Sequence, residues 1–242
     1  MIFAITIISV LAFALINIFA KKTWQTFLSI IFAGIFLISL GFITANDHYH
    51  YGMKKVTETT TQTLTSTADN KDMKMLLYQP LGNGTEKIYL YKTNESQKKP
   101  KTTGTDHVSN RVKKNQEKTQ LVTAKTYWVY KNEIAKFWFG LSSKNHQLIN
   151  EKNTFNVQKD WFVLSTDQAK ELAKLVTKNK TSMQNDAKKF VQEKVEAAMI
   201  QNPSMDQATQ QKIIQQATKE YQQQSMAKLI AEVTKKRIEK RS

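Results

Sequence analysis

Two apolar runs at the start of the chain constrain its fold more than any other feature. Residues 1–20, MIFAITIISVLAFALINIFA, carry only Thr6, Ser9 and Asn17 as polar side chains, and residues 27–45, FLSIIFAGIFLISLGFITA, match them in length and character. About 20 helical residues at 1.5 Å rise span a hydrocarbon core roughly 30 Å thick, so each run is expected to be a transmembrane helix. The link, residues 21–26, holds Lys21, Lys22 and Trp24 and is short enough to force a hairpin; two cations and an indole suit a membrane boundary. Gly34 and Gly41, seven apart, share a helical face. With Ala4, Ser9 and Ala12 they offer small contacts for close packing, although such residues are also ordinary in membrane helices. A signal peptide fits less well: no basic segment precedes the first run, and Ile43-Thr44-Ala45 is a poor cleavage site.

A hairpin that crosses twice leaves both its ends on one side. Lys21 and Lys22 are the only charged side chains before Asp47, and the positive-inside rule places their loop in the cytoplasm, so the remainder is expected to be extracellular. Lys54 and Lys55, just past the second run, weigh against this.

The rest of the 242-residue chain is polar and basic: residues 46–164 hold 19 Lys/Arg against 11 Asp/Glu, and residues 165–242 hold 15 against 9. A net charge of +16 spread in this way favours anionic partners. The absence of cysteine removes disulfides, thiolate metal sites and Cys nucleophiles together.

Residues 46–164 read as one basic antiparallel β domain, a sandwich or barrel-like fold. Val56–Thr65 suits a strand or an extended stalk. Met75–Gln79 and Lys87–Lys92 flank Pro80-Leu81-Gly82-Asn83-Gly84-Thr85, a hairpin signal. Residues 93–119 are almost free of apolar side chains and read as a long mobile loop, whose Lys98, Lys99, Lys101, Arg111, Lys113 and Lys114 are candidate contacts for an anionic ligand. No aromatic interleaves with those cations, which disfavours nucleic acid. Even positions from Val122 to Tyr130 form an apolar strand face, and Ala135–Gly140 and Trp161–Leu164 continue the β pattern. The aromatics on these segments are expected in the core.

Residues 165–242 read as a pair of long helices, a hairpin or two arms. A capping box at Ser165 and Gln168 opens the first, and a break at 202–204 separates them. Their apolar stripes pack either on the strands or, as a homo-oligomer contact, on another chain. The whole is therefore an α+β chain.

Chemistry is sparse. Asp47-His48-Tyr49-His50 is at most half a metal site, and an interfacial aromatic belt explains it better. None of His48, His50, His107 and His146 belongs to a catalytic pattern. Glu133 and Asp160 are the acids set among aromatics. Asn94-Glu95-Ser96 and Asn179-Lys180-Thr181 match the glycosylation pattern only as chance does. Neither catalytic residues nor cofactors are expected.

Gly52-Met53-Lys54-Lys55-Val56-Thr57-Glu58-Thr59, the stretch Met75 to Lys87 (MLLYQPLGNGTEK) and Thr103-Gly104-Thr105-Asp106-His107 resemble an uncharacterised family of small two-pass membrane proteins of lactic-acid bacteria, a domain of unknown function. The resemblance runs over nearly the whole chain and implies a bacterial cell-membrane location, with no activity or site residues. The expectation is a non-enzymatic membrane protein whose basic extracytoplasmic domain binds an anionic wall polymer or another membrane protein. The rivals are an envelope hydrolase or folding factor, and a cytoplasm-facing domain binding lipid or nucleic acid.

Overall fold

In the computed structural model, which describes residues 1–19, 21–68, 73–82, 85–142 and 144–239, the two apolar runs are helices α1 (Ile2–Phe19) and α2 (Thr23–Tyr49). Both are long and apolar enough to cross a membrane; at 1.5 Å per residue they measure about 27 and about 40 Å. The link is tighter than expected, and Ala20 lies outside the described residues. The Gln25 side-chain carbonyl closes it by accepting from the backbone N–H of Lys21 (2.7 Å) and Lys22 (2.9 Å). Beyond Ala45, α2 continues for four residues and ends on His50, whose left-handed φ of 55° makes the C-cap.

The small residues that pack the hairpin are serines rather than glycines. Ser9, Ser29 and Ser39 are buried, and Asn17 Nδ2 donates to Ser29 Oγ at 2.5 Å. A Cβ added at Gly34 or Gly41 would meet open space, so the expected glycine face is not the contact face. A hydroxyl that bonds back to its own helix, as Ser39 does to the Ile35 carbonyl at 2.8 Å, has its donor satisfied within the helix and is still small enough for close helix packing.

The chain divides into two compact units, where one soluble domain was expected. The first holds the hairpin, an open four-stranded sheet and a short helix: β1 (Met53–Thr63), β5 (Val108–Lys113), β6 (Gln120–Tyr130), α3 (Glu133–Phe139) and β7 (Gln147–Asn156), with strand order β1-β6-β7-β5. The stalk reading of Val56–Thr65 therefore gives way to an edge strand, tied to its neighbour by Thr57 Oγ1 and Thr126 Oγ1, 3.0 Å apart. Across the strands of this sheet runs a polar chain. Thr123 Oγ1 donates to buried Asn153 Oδ1 (2.7 Å), Asn153 Nδ2 donates to Glu151 (2.8 Å) and Asn110 (3.2 Å), and Glu151 pairs with Lys125 at 3.2 Å. This is why QLINEKNTFN shows little apolar alternation and yet is strand β7: of its two buried positions one is the apolar Phe155, and the other, Asn153, is held by hydrogen bonds.

Ala135–Gly140 is helix, not strand. Asn132 caps it, its side-chain oxygen accepting from the Ala135 N–H at 2.8 Å, and Glu133 sits in the first turn where the helix dipole favours an acid. Those two cues outweigh the β propensity of Phe137-Trp138-Phe139.

The second unit contains β2 (Lys74–Leu81), β3 (Glu86–Tyr91), β4 (Lys101–Thr102) and β8 (Trp161–Ser165) in the order β4-β3-β2-β8, with α4 (Thr166–Lys178), α5 (Lys180–Gln201) and α6 (Gln207–Glu239). β2 and β3 form the expected hairpin, with Leu77 opposite Leu90 and Tyr78 opposite Tyr89; Asn83 and Gly84 of its turn lie outside the described residues. Burial, with Tyr78 alongside, pushes the Tyr89 hydroxyl above its ordinary pKa. β8 runs parallel to β2, Leu76 opposite Val163, so the sheet is mixed and the all-antiparallel expectation is corrected. Neither sheet closes, which removes the barrel.

The capping box is present: Ser165 Oγ accepts from the Gln168 N–H (3.2 Å) and Gln168 Oε1 from the Ser165 N–H (2.9 Å). The helix it opens is interrupted at Asn179, which caps both α4 and α5, so three helices stand where two were expected. Asp206 opens α6 by accepting from the Thr209 N–H at 2.8 Å, and the Thr209 side chain, followed by this backbone N–H, holds its carboxyl below the usual range. Met75 and Leu164 of the sheet, Leu172 of α4 and Val233 of α6 make one core. The C-terminal stripes thus pack within the unit.

Candidate functional site

At the exit of the hairpin, aromatic and cationic side chains form a collar. The His50 ring stacks on Trp128 with centroids 4.2 Å apart, and Lys55 Nζ stands 5.0 Å from the same indole. Lys131 Nζ is 5.8 Å from the Tyr51 ring, and Asp47 pairs with Lys144 at 3.0 Å. Trp128 is therefore a half-exposed platform, and Phe137 and Trp138 are exposed at 58% and 37%, so these three aromatics are not core as expected. Tyr130 and Phe139 are buried together with Ile2 and Ala135. Gly52, at φ 81°, needs its freedom here: a side chain would be strained by the backbone conformation, although its Cβ would meet Ala135 and Phe139 only at ordinary contact, 3.4 Å.

Hydrogen bonds tie the hairpin to the sheet through Tyr130. Its hydroxyl donates to the Phe139 carbonyl (2.7 Å) and lies 2.8 Å from Ser142 Oγ, which reaches Asn46 Oδ1 at 3.3 Å, while Asn46 Nδ2 donates to the Tyr51 carbonyl at 2.8 Å. Asn46 is buried at the end of α2. Tyr130→Phe is expected to lower stability by about 1 kcal/mol, because it removes the hydroxyl's bonds to Phe139 and Ser142 without changing shape, while the Phe139 carbonyl keeps the Ser142 N–H; thermal unfolding of the full chain in detergent micelles reads this directly.

The six expected anionic contacts do not lie on one mobile loop. Lys98 and Lys99 precede β4, Lys101 is in it, Arg111 and Lys113 are in β5, and Lys114 follows. β4 and β5 are edge strands of different sheets in different units, Arg111 falling in the first and the other five in the second. All six are exposed, and none joins an ion pair with a described residue. Cations on edge strands also keep sheets from pairing with one another, a structural account of the same charges.

Three of the four histidines serve as turn residues: His50, His107 and His146 have φ of 55°, 53° and 65°. His146 contacts Glu58 at 3.3 Å and the Tyr127 ring. Among the described residues no three His, Cys, Asp or Glu side chains are grouped to hold a metal ion. Glu133 faces Lys136 at 3.6 Å on the surface of α3, and Asp160 pairs with Lys74 at 2.7 Å in the other unit, so each acid has its own lysine.

A groove of the second unit, about 720 Å³, runs between α5, α6 and the sheet and is lined by Met73, Met183, Met226, Phe162 and several glutamines, with the Lys74–Asp160 pair among its lining residues. The first unit has a groove of about 530 Å³ between the hairpin and α3. Sequence reading missed both, since each is lined by residues far apart in the chain. A cue to the second was present in Asn132-Glu133, a helix start that would have turned Ile134, Phe137 and Trp138 into one side of a helix.

One family model matches, that of a domain of unknown function, DUF4811, over residues 21–172. That span runs from the hairpin link through α2 and both sheets into α4. No curated protein and no solved structure matches the chain.

Proposed function

The chain belongs to the DUF4811 family of domains of unknown function, and from that premise we propose a non-enzymatic, membrane-anchored protein whose basic part stands outside the cell and binds an anionic envelope polymer. The anchor is supported by α1 and α2, which fit a membrane hairpin and pass directly into β1. Lys21 and Lys22 in the link favour the extracellular side. The polymer reading is carried by one observation: Lys98, Lys99, Lys101, Arg111, Lys113 and Lys114 are exposed and free of carboxylate partners among the described residues. Unpaired surface cations leave their attraction available to a polyanion.

The test is retention of the full chain, in detergent, on an immobilised polyglycerol phosphate column. Glutamine at all six positions is expected to bring elution to lower salt, since exposed charge pairs are screened. Unchanged elution would sink the polymer reading. A second reading, a membrane-protein partner, is favoured by the methionine-rich groove of α5 and α6, because methionine adapts to varied apolar surfaces. Crosslinking from Met183 and Met226 positions would find it. A hydrolase or folding factor would instead show turnover or refolding activity lost with Glu133→Gln.

A further inference from the structure

The exposed face of α3 is too apolar for a surface that meets only water. Ile134 (69%), Phe137 (58%), Trp138 and Leu141 (71%) stand out from a helix and turn whose other side, Ala135 and Phe139, packs on Ile2, with Phe3 and Ile43 alongside. Ile2, Phe3 and Ile43 lie near the ends of the two apolar runs that emerge together, so α3 lies level with the membrane boundary of the hairpin. Tryptophan, phenylalanine and lysine are the side chains that the boundary layer retains.

The groove beside α3 continues the same surface. Ile2 and Ile5 of α1 and Ile38 and Phe42 of α2 form one wall, and Ile134 and Trp138 stand on the other. Ile38 and Phe42 are themselves exposed, at 62% and 42%, and belong to the run that hydrocarbon would surround. The groove is thus continuous with lipid. Lys131 also lines it, exposed and without a carboxylate partner among the described residues, whereas neighbouring Glu133 is already engaged with Lys136.

We propose that α3 is an interfacial foot resting in the bilayer surface, and that the groove between it and the hairpin takes one acyl chain of an anionic phospholipid whose phosphate meets Lys131. This rests on the membrane-anchored reading of the hairpin. An anionic headgroup matches the cation at the groove, and an acyl chain matches its walls.

Because the chain has no cysteine, one substitution places one probe. Full-length Ile134→Cys and Leu141→Cys, with Ile30→Cys on α2 and Glu58→Cys on β1 as references, are labelled with a polarity-sensitive fluorophore and reconstituted in phosphatidylcholine–phosphatidylglycerol vesicles. In each preparation only one lipid carries brominated acyl chains. Probes at 134 and 141 are expected to shift to the blue and be quenched like the probe at 30, while the probe at 58 is not. Quenching at 141 should be stronger with brominated phosphatidylglycerol than with brominated phosphatidylcholine, and Lys131→Gln should equalise the two. If 134 and 141 behave like 58 while 30 is quenched, the anchor stands and the foot falls. If 30 is unquenched as well, the anchoring reading itself has failed. Equal quenching by both lipids in the Lys131 protein overturns the anionic lipid, and so does a preference that survives Lys131→Gln.

Discussion

Leu172→Ala is expected to cost about 2–5 kcal/mol. Leu172 is 1% exposed and sits where α4, α6 and the sheet meet, against Met75, Leu164 and Val233. Removing three carbons there loses transfer free energy and leaves a cavity that elements from three separate stretches of chain cannot close by local adjustment. The control is Ile200→Ala on α5, where an 80% exposed side chain should change stability by less than about 0.5 kcal/mol. Urea unfolding of the full chain in detergent, followed by helical circular dichroism, compares them. Equal midpoints would mean that α4 and α6 do not share this core.

Trypsin applied to intact cells is expected to remove nearly all the chain beyond Lys54 and leave the hairpin behind. The prediction is close to all-or-none because long domains cross or stay largely as units, and the short link decides which. Replacing Lys21 and Lys22 by Gln removes the only charges of that link, so a substantial protected fraction should then appear. Digestion only after lysis, for the unaltered chain, would place the basic part in the cytoplasm and redirect its charge towards lipid or nucleic acid.

How much of this was legible without coordinates depended on the range of the forces involved. The two long apolar helices were, because hydropathy is a property of composition and of local order. The capping box at Ser165 and the β2–β3 hairpin were, because their hydrogen bonds close within a few residues. The strands β5 and β7 were not. Arg111 and Lys113 in β5 and Asn153 in β7 lack the apolar alternation by which a half-buried strand is recognised, and two of Asn153's partners, Thr123 and Asn110, are on other strands. Helix α3 was misread because Phe137-Trp138-Phe139 favours a strand by propensity, while Asn132, a cap, speaks only for the first turn.

The sequence by itself determined the two membrane-length helices, the basic charge and the absence of thiol chemistry, all of which depend on residue type and local order alone. The tertiary structure alone decided that serines rather than glycines pack the hairpin, that β8 lies parallel to β2 across some eighty residues of chain, and that Lys101, Arg111 and Lys113 sit on the edge strands of two sheets. Each of these depends on which distant residues meet. A side chain's spacing fixes the face it occupies on its own element, but not the element that will cover that face.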